Sequence, residues 1–427
     1  MNLLNTEWLK EIPHAPTKIS ETTVRRWLYF LDFRPKEKGK NYFVDGHERE
    51  DVVQHRNEFL NKMEDLCLRC TQWEGEELEI AVHPVLADGE KRTIFIVQDE
   101  SFFYTNDSVK LSWLCVNENE LRPKASGRAL HVSGFACECH GFMKAVIDNV
   151  EKTSYKIITP GKNNDGYWCN EDLVKQIVDI DGLVKFLHPE CNIVYIFDNS
   201  QNHHARRPDA LWASNLNLSD GGKNTKHLRS TTWNGQVQLM QTADGKQKGI
   251  KSILTERNLW VNGLKLDCKP CKENNPPVDN LQCCARRILS ECPDFKVDKC
   301  WLEETVESLG CSLIFLPKFH CELNFIEMLW GFVKAQLRRQ CTFSFKELGE
   351  RLPFQLDNIP VAFVKKVSRH CIRYMDGYRA GLIGPELDYA VKRFRGHRMI
   401  PRESIELIKS EFKMQQEKNL RESFKSC

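Results

Sequence analysis

Apolar residues near the start of the chain recur at helical spacing. Four of them in segment 18–33 fall at positions i, i+3, i+4 and i+7, namely Val24, Trp27, Leu28 and Leu31. The pattern predicts a short amphipathic helix, for which Ser20 is a suitable N-cap. Residues 48–67 repeat the helical pattern over a longer stretch, with Val52, Phe59, Met63 and Leu66 apolar.

After residue 75 the apolar pattern changes to one typical of strands. Leu78, Ile80 and Val82 alternate with other residues, and later apolar runs predict further strands at Thr93–Val97, Leu111–Val116, Ala129–Phe135, Ile193–Phe197 and Cys311–Leu316. The run at Ile193–Phe197 has no polar interruption, which favours a strand buried on both faces. Helical patterns at Asn170–Leu187 and over 344–420 complete the chain, so an α/β fold is expected.

Three acidic residues stand at informative places in this pattern. Asp99 and Asp198 each close an apolar run, so we expect them at the ends of neighbouring strands, facing the same edge of a sheet. Glu327 lies among apolar residues in the first turns of a predicted helix with Asn324 as N-cap, where an unpaired charge is costly. Carboxylates are hard ligands, and together they would suit two Mg²⁺ or Mn²⁺ ions about 3.5–4 Å apart. Each acid taken alone could equally cap a strand or face water.

The contexts of these acids resemble known motifs. They read Asp99-Glu-Ser101, Asp198-Asn-Ser-Gln-Asn-His203 and Leu323-Asn-Phe-Ile-Glu327-Met-Leu-Trp330. They are similar to the DES, DNxxxH and LNPIExxW motifs of DDE-type transposases of the mariner-like superfamily, especially the DDE endonucleases of a large fungal branch. One departure is Phe325 where that family usually has Pro. Its cost is small, because Pro is only favourable in a first helical turn.

The resemblance implies an RNase H-like catalytic core, in which a mixed sheet is flanked by helices, with an inserted subdomain and flanking helical segments. It implies hydrolysis at transposon ends and attack of the freed 3′-hydroxyl on target DNA, with double-stranded DNA and a second copy of the chain as partners. The predicted divisions are a remnant DNA-binding region with a linker helix (1–70), two parts of the core (75–204 and 301–345), an insertion (205–300) and a basic helical region (346–427).

The predicted insertion accounts for an unusual spacing. Asp198 and Glu327 are 129 residues apart, far more than in simple mariner-type enzymes. Residues 205–300 are rich in turn signals such as Asp220-Gly-Gly and Asn274-Asn-Pro-Pro277. An insertion between a strand and the next element leaves both ends in place, so the triad is preserved.

Eighteen cysteines are many for a chain without a secretory signal. Cys268 and Cys271 form a CxxC pair in a Pro-containing turn, which suits half of a tetrahedral zinc site. Cys283 and Cys284 could complete it, although adjacent side chains diverge. Free thiols in a helical hairpin are the alternative. The segment Cys137-Glu-Cys139-His140 is a weaker candidate for metal binding.

Several basic residues are candidates for DNA contact. Arg25 and Arg26 lie on a helix that looks like the last one of a helix-turn-helix unit, and Lys124 and Arg128 lie on a strand connection that we expect near the active edge. His203 is expected to orient the attacking water or contact phosphate, unless it only satisfies a helix start. Little sequence before residue 18 could hold the preceding helices, so an N-terminal truncation is expected.

Bulk properties limit the remaining possibilities. The chain has 427 residues, 41% hydrophobic and 28% charged, with a net charge of +2. No apolar run approaches the roughly 20 residues needed to span a membrane, and we expect no membrane partner. A nuclear location follows only from the expected DNA substrate. The competing hypothesis is a catalytically silent or domesticated remnant that binds DNA or protein.

Overall fold

The computed structural model of the chain describes residues 19–30, 46–110, 121–222, 225–273, 280–296, 299–396 and 399–425. The predicted strand Leu111–Val116 lies outside these residues. In chain order, the described helices are α1 (Glu21–Phe30), α2 (Glu50–Cys67), α3 (Asn170–Leu187), α4 (Ile250–Glu256), α5 (Lys269–Lys272), α6 (Ala285–Ser290), α7 (Pro293–Lys296), α8 (Trp301–Ser308), α9 (Ile326–Arg339), α10 (Phe345–Asp357), α11 (Val361–Arg379), α12 (Gly384–Arg393) and α13 (Ile405–Lys425). The described strands are β1 (Gln72–Glu74), β2 (Ile80–Val82), β3 (Thr93–Tyr104), β4 (Ala129–Cys137), β5 (Gly141–Phe142), β6 (Lys144–Ile147), β7 (Val150–Thr153), β8 (Tyr155–Ile158), β9 (Asn192–Phe197), β10 (Thr231–Trp233), β11 (Gln236–Gln238) and β12 (Ser312–Phe315).

The chain divides into two compact units. Unit 1 comprises Met1–Leu60, Phe319–Leu323 and Ser368–Cys427, and unit 2 comprises Asn61–Lys318 and Asn324–Val367. The sequence-based division treated 1–70 and 346–427 as separate regions. In the structure the outer parts of these two regions belong to the same unit, and the boundaries fall inside α2 and α11.

Unit 1 is helical in its described residues. The Ser20 hydroxyl accepts a hydrogen bond from the Thr23 amide at 3.2 Å, which confirms the predicted N-cap of α1. The helix buries none of its residues. Two residues of its predicted apolar stripe are exposed, Trp27 at 48% and Leu28 at 43% of full exposure, whereas Val24 is half-buried and Leu31 lies outside the described residues.

The central sheet of unit 2 has the strand order β8-β4-β3-β9-β12, and β5 also pairs with β4. Strands β3, β9 and β12 are parallel, whereas β4 runs antiparallel to both β3 and β8. The strand that comes first in the chain, β3, lies in the middle of the sheet. The antiparallel strand β4 lies on one side of it, and the parallel strands β9 and β12 lie on the other. This is the RNase H-like arrangement. The predicted fold class is confirmed.

Helices cover both faces of this sheet. Alternate residues of β3 and β9, including Ile96, Tyr195 and Phe197, join a buried cluster with Leu173 of α3 and Leu302 of α8. The opposite face of β3 receives α9. Because side chains alternate along a strand, Asp99 points to the face of α9 and away from this cluster.

The predicted insertion has its own hydrophobic core. Leu211, Met240, Ile250, Leu289 and Phe295 belong to one buried cluster formed only by residues between 211 and 295. The ends of the segment lie close together, because the Trp301 amide donates to the Ala205 carbonyl at 3.0 Å. The core sheet therefore continues across the insertion. Among the helices that the structure describes, none is long and apolar enough to cross a bilayer.

Candidate active site

Asp99 and Asp198 lie side by side on neighbouring parallel strands. Val97 of β3 is paired with Ile196 of β9, and each aspartate follows two residues later. The two side chains therefore share a level and a face, on strands about 4.8 Å apart. The prediction that both acids end strands is correct for Asp198 and wrong for Asp99, because β3 continues to Tyr104.

The third acid reaches the same face from α9. Glu327 is in the first turn of the helix, as predicted. The Asn324 side chain ties this helix start to β3 by donating to the Gln98 carbonyl at 3.1 Å, and its oxygen accepts from the Ile326 amide at 3.3 Å. The residue at the N-cap is Phe325, one position later than expected.

Glu327 is exposed, which corrects the expectation that apolar neighbours bury it. Those neighbours point elsewhere on the helix: Ile326 and Leu329 are buried, while Glu327 is exposed, near enough for its charge to act on Asp99. Helical periodicity separates adjacent positions by about 100°. A charged residue in an apolar sequence is therefore not necessarily a buried one.

Trp330 connects α9 directly to Asp99. Its indole Nε1 donates to the Asp99 carboxylate at 3.0 Å. The ring lies over Gly134 of β4, which is paired with Asp99 in the sheet. A Cβ at position 134 would lie 2.9 Å from the Trp330 ring and 2.6 Å from that of Phe142. Sequence reasoning missed Gly134, although an isolated glycine within a strand signals a close approach.

The electrostatics of the triad show mutual repulsion. Burial raises the pKa of Asp99 well above its ordinary value, and the negative charges of Glu327, Glu100 and Asp198 raise it further. Desolvation also raises the pKa of Glu327, even though its side chain is exposed, and Lys334 acts in the opposite direction. Bringing these carboxylates together is unfavourable without a compensating cation.

His203 lies behind Asp198 and not in the solvent-facing site. Its side chain is buried, and Nδ1 lies 2.5 Å from an Asp198 carboxylate oxygen and 3.2 Å from the Asp198 carbonyl oxygen. Burial would lower the pKa of His203, but the contact with Asp198 and the negative charge of Glu100, 3.8 Å from Nε2, raise it to about 10. The resulting imidazolium outweighs the effect of burial on Asp198 and lowers the pKa of that carboxyl. This placement favours a role in holding Asp198 over the predicted contact with water or phosphate.

Lys334 is a cation at the site that sequence reasoning missed. It lies seven residues after Glu327, two turns along the same face of α9. Desolvation lowers the pKa of its ammonium, while Glu327, Asp107 and Asp99 raise it. The i, i+7 spacing from Glu327 was the signal available in the sequence.

The donor set of the triad fits hard divalent cations. Asp198 is half exposed, Asp99 is partly buried and Glu327 is exposed, so carboxylate oxygens reach solvent from both strands and the helix. Oxygen ligands of this kind suit Mg²⁺ and Mn²⁺. The carboxylate oxygens of the three acids do not all lie within 4.8 Å of one another. Three other groups of cysteine, histidine or glutamate side chains among the described residues do have their ligand atoms within that distance.

The predicted DNA-contacting residues belong to both units, Arg25 and Arg26 to unit 1 and Lys124 and Arg128 to unit 2. Arg25 and Arg26 are exposed on α1, where Arg25 pairs with Glu21 at 2.8 Å. Lys124 and Arg128 are exposed as well, but not near the active edge. Ala129, which follows Arg128, pairs with Tyr104, five residues beyond Asp99 and about 17 Å along the strand. The Arg128 guanidinium lies 3.7 Å from the centre of the Phe345 ring.

Two basic residues of the predicted C-terminal helical region are not on the surface. Lys365 and Arg373 are buried, and the Lys365 ammonium donates to the Leu78 carbonyl at 2.8 Å. These two cations therefore serve internal contacts of the fold.

Four of the cysteines in the insertion, Cys268, Cys271, Cys283 and Cys284, converge. The Cys283 sulfur lies 3.5 Å from those of both Cys268 and Cys271, and 3.9 Å from that of Cys284. All four sulfur atoms are within 4.8 Å of one another. The expected divergence of adjacent cysteines does not occur, since Cys284, at the N-cap of α6, has its sulfur within 4.8 Å of the other three.

Comparison with known proteins gives matches among solved structures alone. No protein-family model and no curated protein matches the chain. The chain is similar to the "Mos1 transposase paired-end complex with left transposon end", with a TM-score of 0.38, 10% identity and coverage of 83% of this chain and 69% of that chain. It is also similar to the "Mos1 Strand Transfer Complex", with a TM-score of 0.40, 10% identity and coverage of 83% of this chain and 67% of that chain. Its similarity to the "mariner Mos1 paired end complex with Mg" has a TM-score of 0.40, 10% identity and coverage of 89% of this chain and 78% of that chain.

Proposed function

We propose that this chain is the catalytic part of a DDE-type transposase, which cleaves DNA at transposon ends and joins the 3′-hydroxyl to target DNA. The observation that carries the proposal is the arrangement of Asp99, Asp198 and Glu327 at one face of an RNase H-like sheet. The proposal is supported by two aspartates at the same level of adjacent strands, and by a glutamate on a helix that Asn324 and Trp330 attach to β3.

In this proposal the three carboxylates would hold two Mg²⁺ or Mn²⁺ ions. Bound divalent ions supply activation of the attacking oxygen and stabilisation of the leaving oxygen in phosphodiester chemistry. Trp330 orients Asp99 through its indole N–H, and the His203 imidazolium keeps Asp198 ionised and directed to the edge. Lys334 contributes a positive charge beside Glu327 and is suited to contact a phosphate.

Double-stranded DNA is the proposed partner, because the chemistry requires a phosphodiester substrate. Joining two transposon ends requires two active sites, so we propose a homodimer, and a DNA substrate implies nuclear function. Among the predicted contacts, Arg25, Arg26, Lys124 and Arg128 are all exposed and available to phosphates. The alternative is a protein that keeps the fold and binds DNA or protein without catalysis.

Replacing Asp198 by Asn tests the proposal. Nicking of supercoiled plasmid or an end-bearing oligonucleotide in Mn²⁺ should fall by at least about 100-fold, because the variant loses the charge that stabilises the transition state through the ions. Asp179→Asn is a matched control, since Asp179 is exposed on α3, across the sheet from the site. Equal nicking by wild type and Asp198→Asn would refute the catalytic assignment, and absence of nicking by wild type would favour the silent alternative.

We further propose that Cys268, Cys271, Cys283 and Cys284 hold a structural Zn²⁺ ion. Four thiolates are a common set for a structural zinc site, and their sulfur separations approach the roughly 3.8 Å edge of a tetrahedron with Zn–S bonds of about 2.3 Å. The zinc content of the purified full chain should fall by one ion per chain in the Cys268→Ser, Cys271→Ser double variant. A zinc content that is the same in wild type and double variant would exclude this site.

A further inference from the structure

A second group of cysteine and histidine side chains lies at the end of β4. Cys137 is the last residue of the strand, Cys139 and His140 lie in the turn that follows, and His188 is the C-cap of α3. All four belong to unit 2. None of them takes part in the triad or in the cysteine cluster of the insertion, so the group stands apart from the function proposed above.

The ligand atoms of this group lie close enough together to share one ion. The sulfur atoms of Cys137 and Cys139 are 3.6 Å apart, and the Cys137 sulfur is 3.4 Å from Nδ1 of His140. Zn–S bonds of about 2.3 Å and Zn–N bonds of about 2.0 Å give tetrahedron edges of about 3.8 Å between two sulfurs and about 3.5 Å between sulfur and nitrogen. One ligand atom from each of the four residues lies within 4.8 Å of the others.

His188 adds an independent observation. It is 7% exposed, and among the residues that the structure describes its Nε2 has no hydrogen-bond partner. A buried imidazole nitrogen without a partner is costly. The centre of the ring lies 5.1 Å from that of His140. Coordination of a cation would satisfy this group.

The site combines a closed interior with an accessible side. Cys137 is fully buried and His188 nearly so, whereas Cys139 is partly buried and His140 is exposed. An ion can therefore enter from the side of His140, while the buried pair anchors it. A structural ion at this position would join the end of β4 to the end of α3, two segments that are about 50 residues apart in sequence and both pack on the main core.

We propose that Cys137, Cys139, His140 and His188 form a Cys₂His₂ site for a structural Zn²⁺ ion. The two thiolates and two imidazoles are the ligand types that select zinc over the Mg²⁺ or Mn²⁺ suited to carboxylates. The ion fixes the turn after β4, and with it the edge of the sheet that pairs β5 with β4. Because the ligands come from two distant segments, metal binding stabilises the folded chain over the unfolded one.

The test uses the full chain in a background that lacks the insertion site. The Cys268→Ser, Cys271→Ser double variant is purified under reducing conditions, dialysed against a weak chelator and analysed for zinc. We expect one tightly bound zinc per chain, which is reduced to background when Cys139→Ser or His140→Ala is added. Both positions are at least partly exposed, so these variants should fold. Cys191→Ser is the matched control, since Cys191 lies three residues after His188 and outside the group, and should keep the ion.

Cobalt provides a second measurement that does not depend on zinc retention. Titration of the metal-free double variant with Co²⁺ should produce the visible bands of a tetrahedral ion with thiolate ligands, and His140→Ala should abolish them. A double variant that holds no zinc and shows no such bands overturns the proposal, as does zinc that persists unchanged in both Cys139→Ser and His140→Ala. If wild type holds one zinc that survives in the double variant, the insertion site fails and this one stands.

Discussion

At the residue scale, the setting of Asp99 explains why this site requires cations. Like charges surround it, and burial raises its pKa well above the usual value for an aspartate. Without a bound cation the acid therefore tends to keep its proton. Binding of divalent ions has to displace that proton, so affinity for metal should increase with pH. Asp198, which lies beside Asp99 on the neighbouring strand, remains ionised because His203 lowers its pKa.

Unit 1 contains another carboxylate with few solvent contacts, Glu322, whose pKa is shifted in the opposite direction to that of Asp99. It lies 2.7 Å from His320 Nδ1, 3.3 Å from His47 Nε2 and 2.6 Å from the Tyr378 hydroxyl. Burial alone would raise the pKa of Glu322, but hydrogen bonds from His320, His47 and Tyr378 lower it to about 2. A pKa below the unfolded value of 4.5 means that the ionised form stabilises the fold.

Glu322→Gln should therefore change the acid stability of the protein. In wild type, the contribution of Glu322 is complete above pH 4.5 and is lost as the pH falls toward 2. The depression corresponds to about 3 kcal/mol. Chemical unfolding of the variant should show a free energy of unfolding that is lower near pH 7 and falls less steeply between pH 4.5 and 2.

The control for this experiment is Glu58→Gln. Glu58 is an exposed residue of α2 in the same unit, where it accepts a hydrogen bond from Gln54 at 3.1 Å. Its replacement should leave the acid limb of the stability curve unchanged. Parallel curves for wild type and Glu322→Gln would contradict the assigned role of Glu322.

At the element scale, helix α9 decides whether the three acids meet. Asn324 holds its start against β3, and Trp330 reaches Asp99 one turn later. Three features make this approach possible: a polar residue before the helix, an indole donor on its inner face and Gly134 beneath the ring. The position of Glu327 thus depends on packing of the whole helix and not on the acid itself.

Gly134→Ala should disturb this packing. The added methyl group would lie 2.6 Å from the Phe142 ring and 2.9 Å from the Trp330 ring. Overpacking of this kind costs about 1–3 kcal/mol. We expect a lower melting temperature and a change in Trp330 fluorescence, because the indole has to move away from β4 and from Asp99.

Two variants separate crowding from other effects of the substitution. Gly182→Ala introduces the same methyl group on α3, where no atom lies within 4 Å, and should stabilise the chain by up to about 1 kcal/mol. Trp330→Phe removes the N–H donor to Asp99 and keeps an aromatic ring. If Gly134→Ala were as stable as Gly182→Ala, the close approach of Trp330 to β4 would be wrong.

At the scale of the whole molecule, the insertion lies between two adjacent strands of the central sheet, β9 and β12. The insertion closes on itself through the Trp301–Ala205 hydrogen bond and packs its own core. Its two ends are therefore adjacent, and an insertion of that kind leaves the parent fold intact. The 129 residues between Asp198 and Glu327 are compatible with a single site for this reason.

Local patterns in the sequence were sufficient for much of this architecture. Helix α3 has the predicted bounds, and β9 is buried along Ile193–Phe197 as its unbroken apolar run indicated. The boundary of the insertion near residue 205 was also visible in composition. The extension of β3 past Asp99 could not be predicted from the sequence, because the polar residues from Gln98 to Ser101 interrupt the apolar pattern.

The sequence by itself determined the element types, the three acids and the pairs of cysteines, because periodicity and motifs are properties of neighbouring residues. The tertiary structure alone decided that Glu327 is exposed, that His203 lies behind Asp198 and that His188 joins Cys137, Cys139 and His140. These relations join residues from separate elements. They depend on strand order, register and helix packing, which arise only when the whole chain buries its apolar surface.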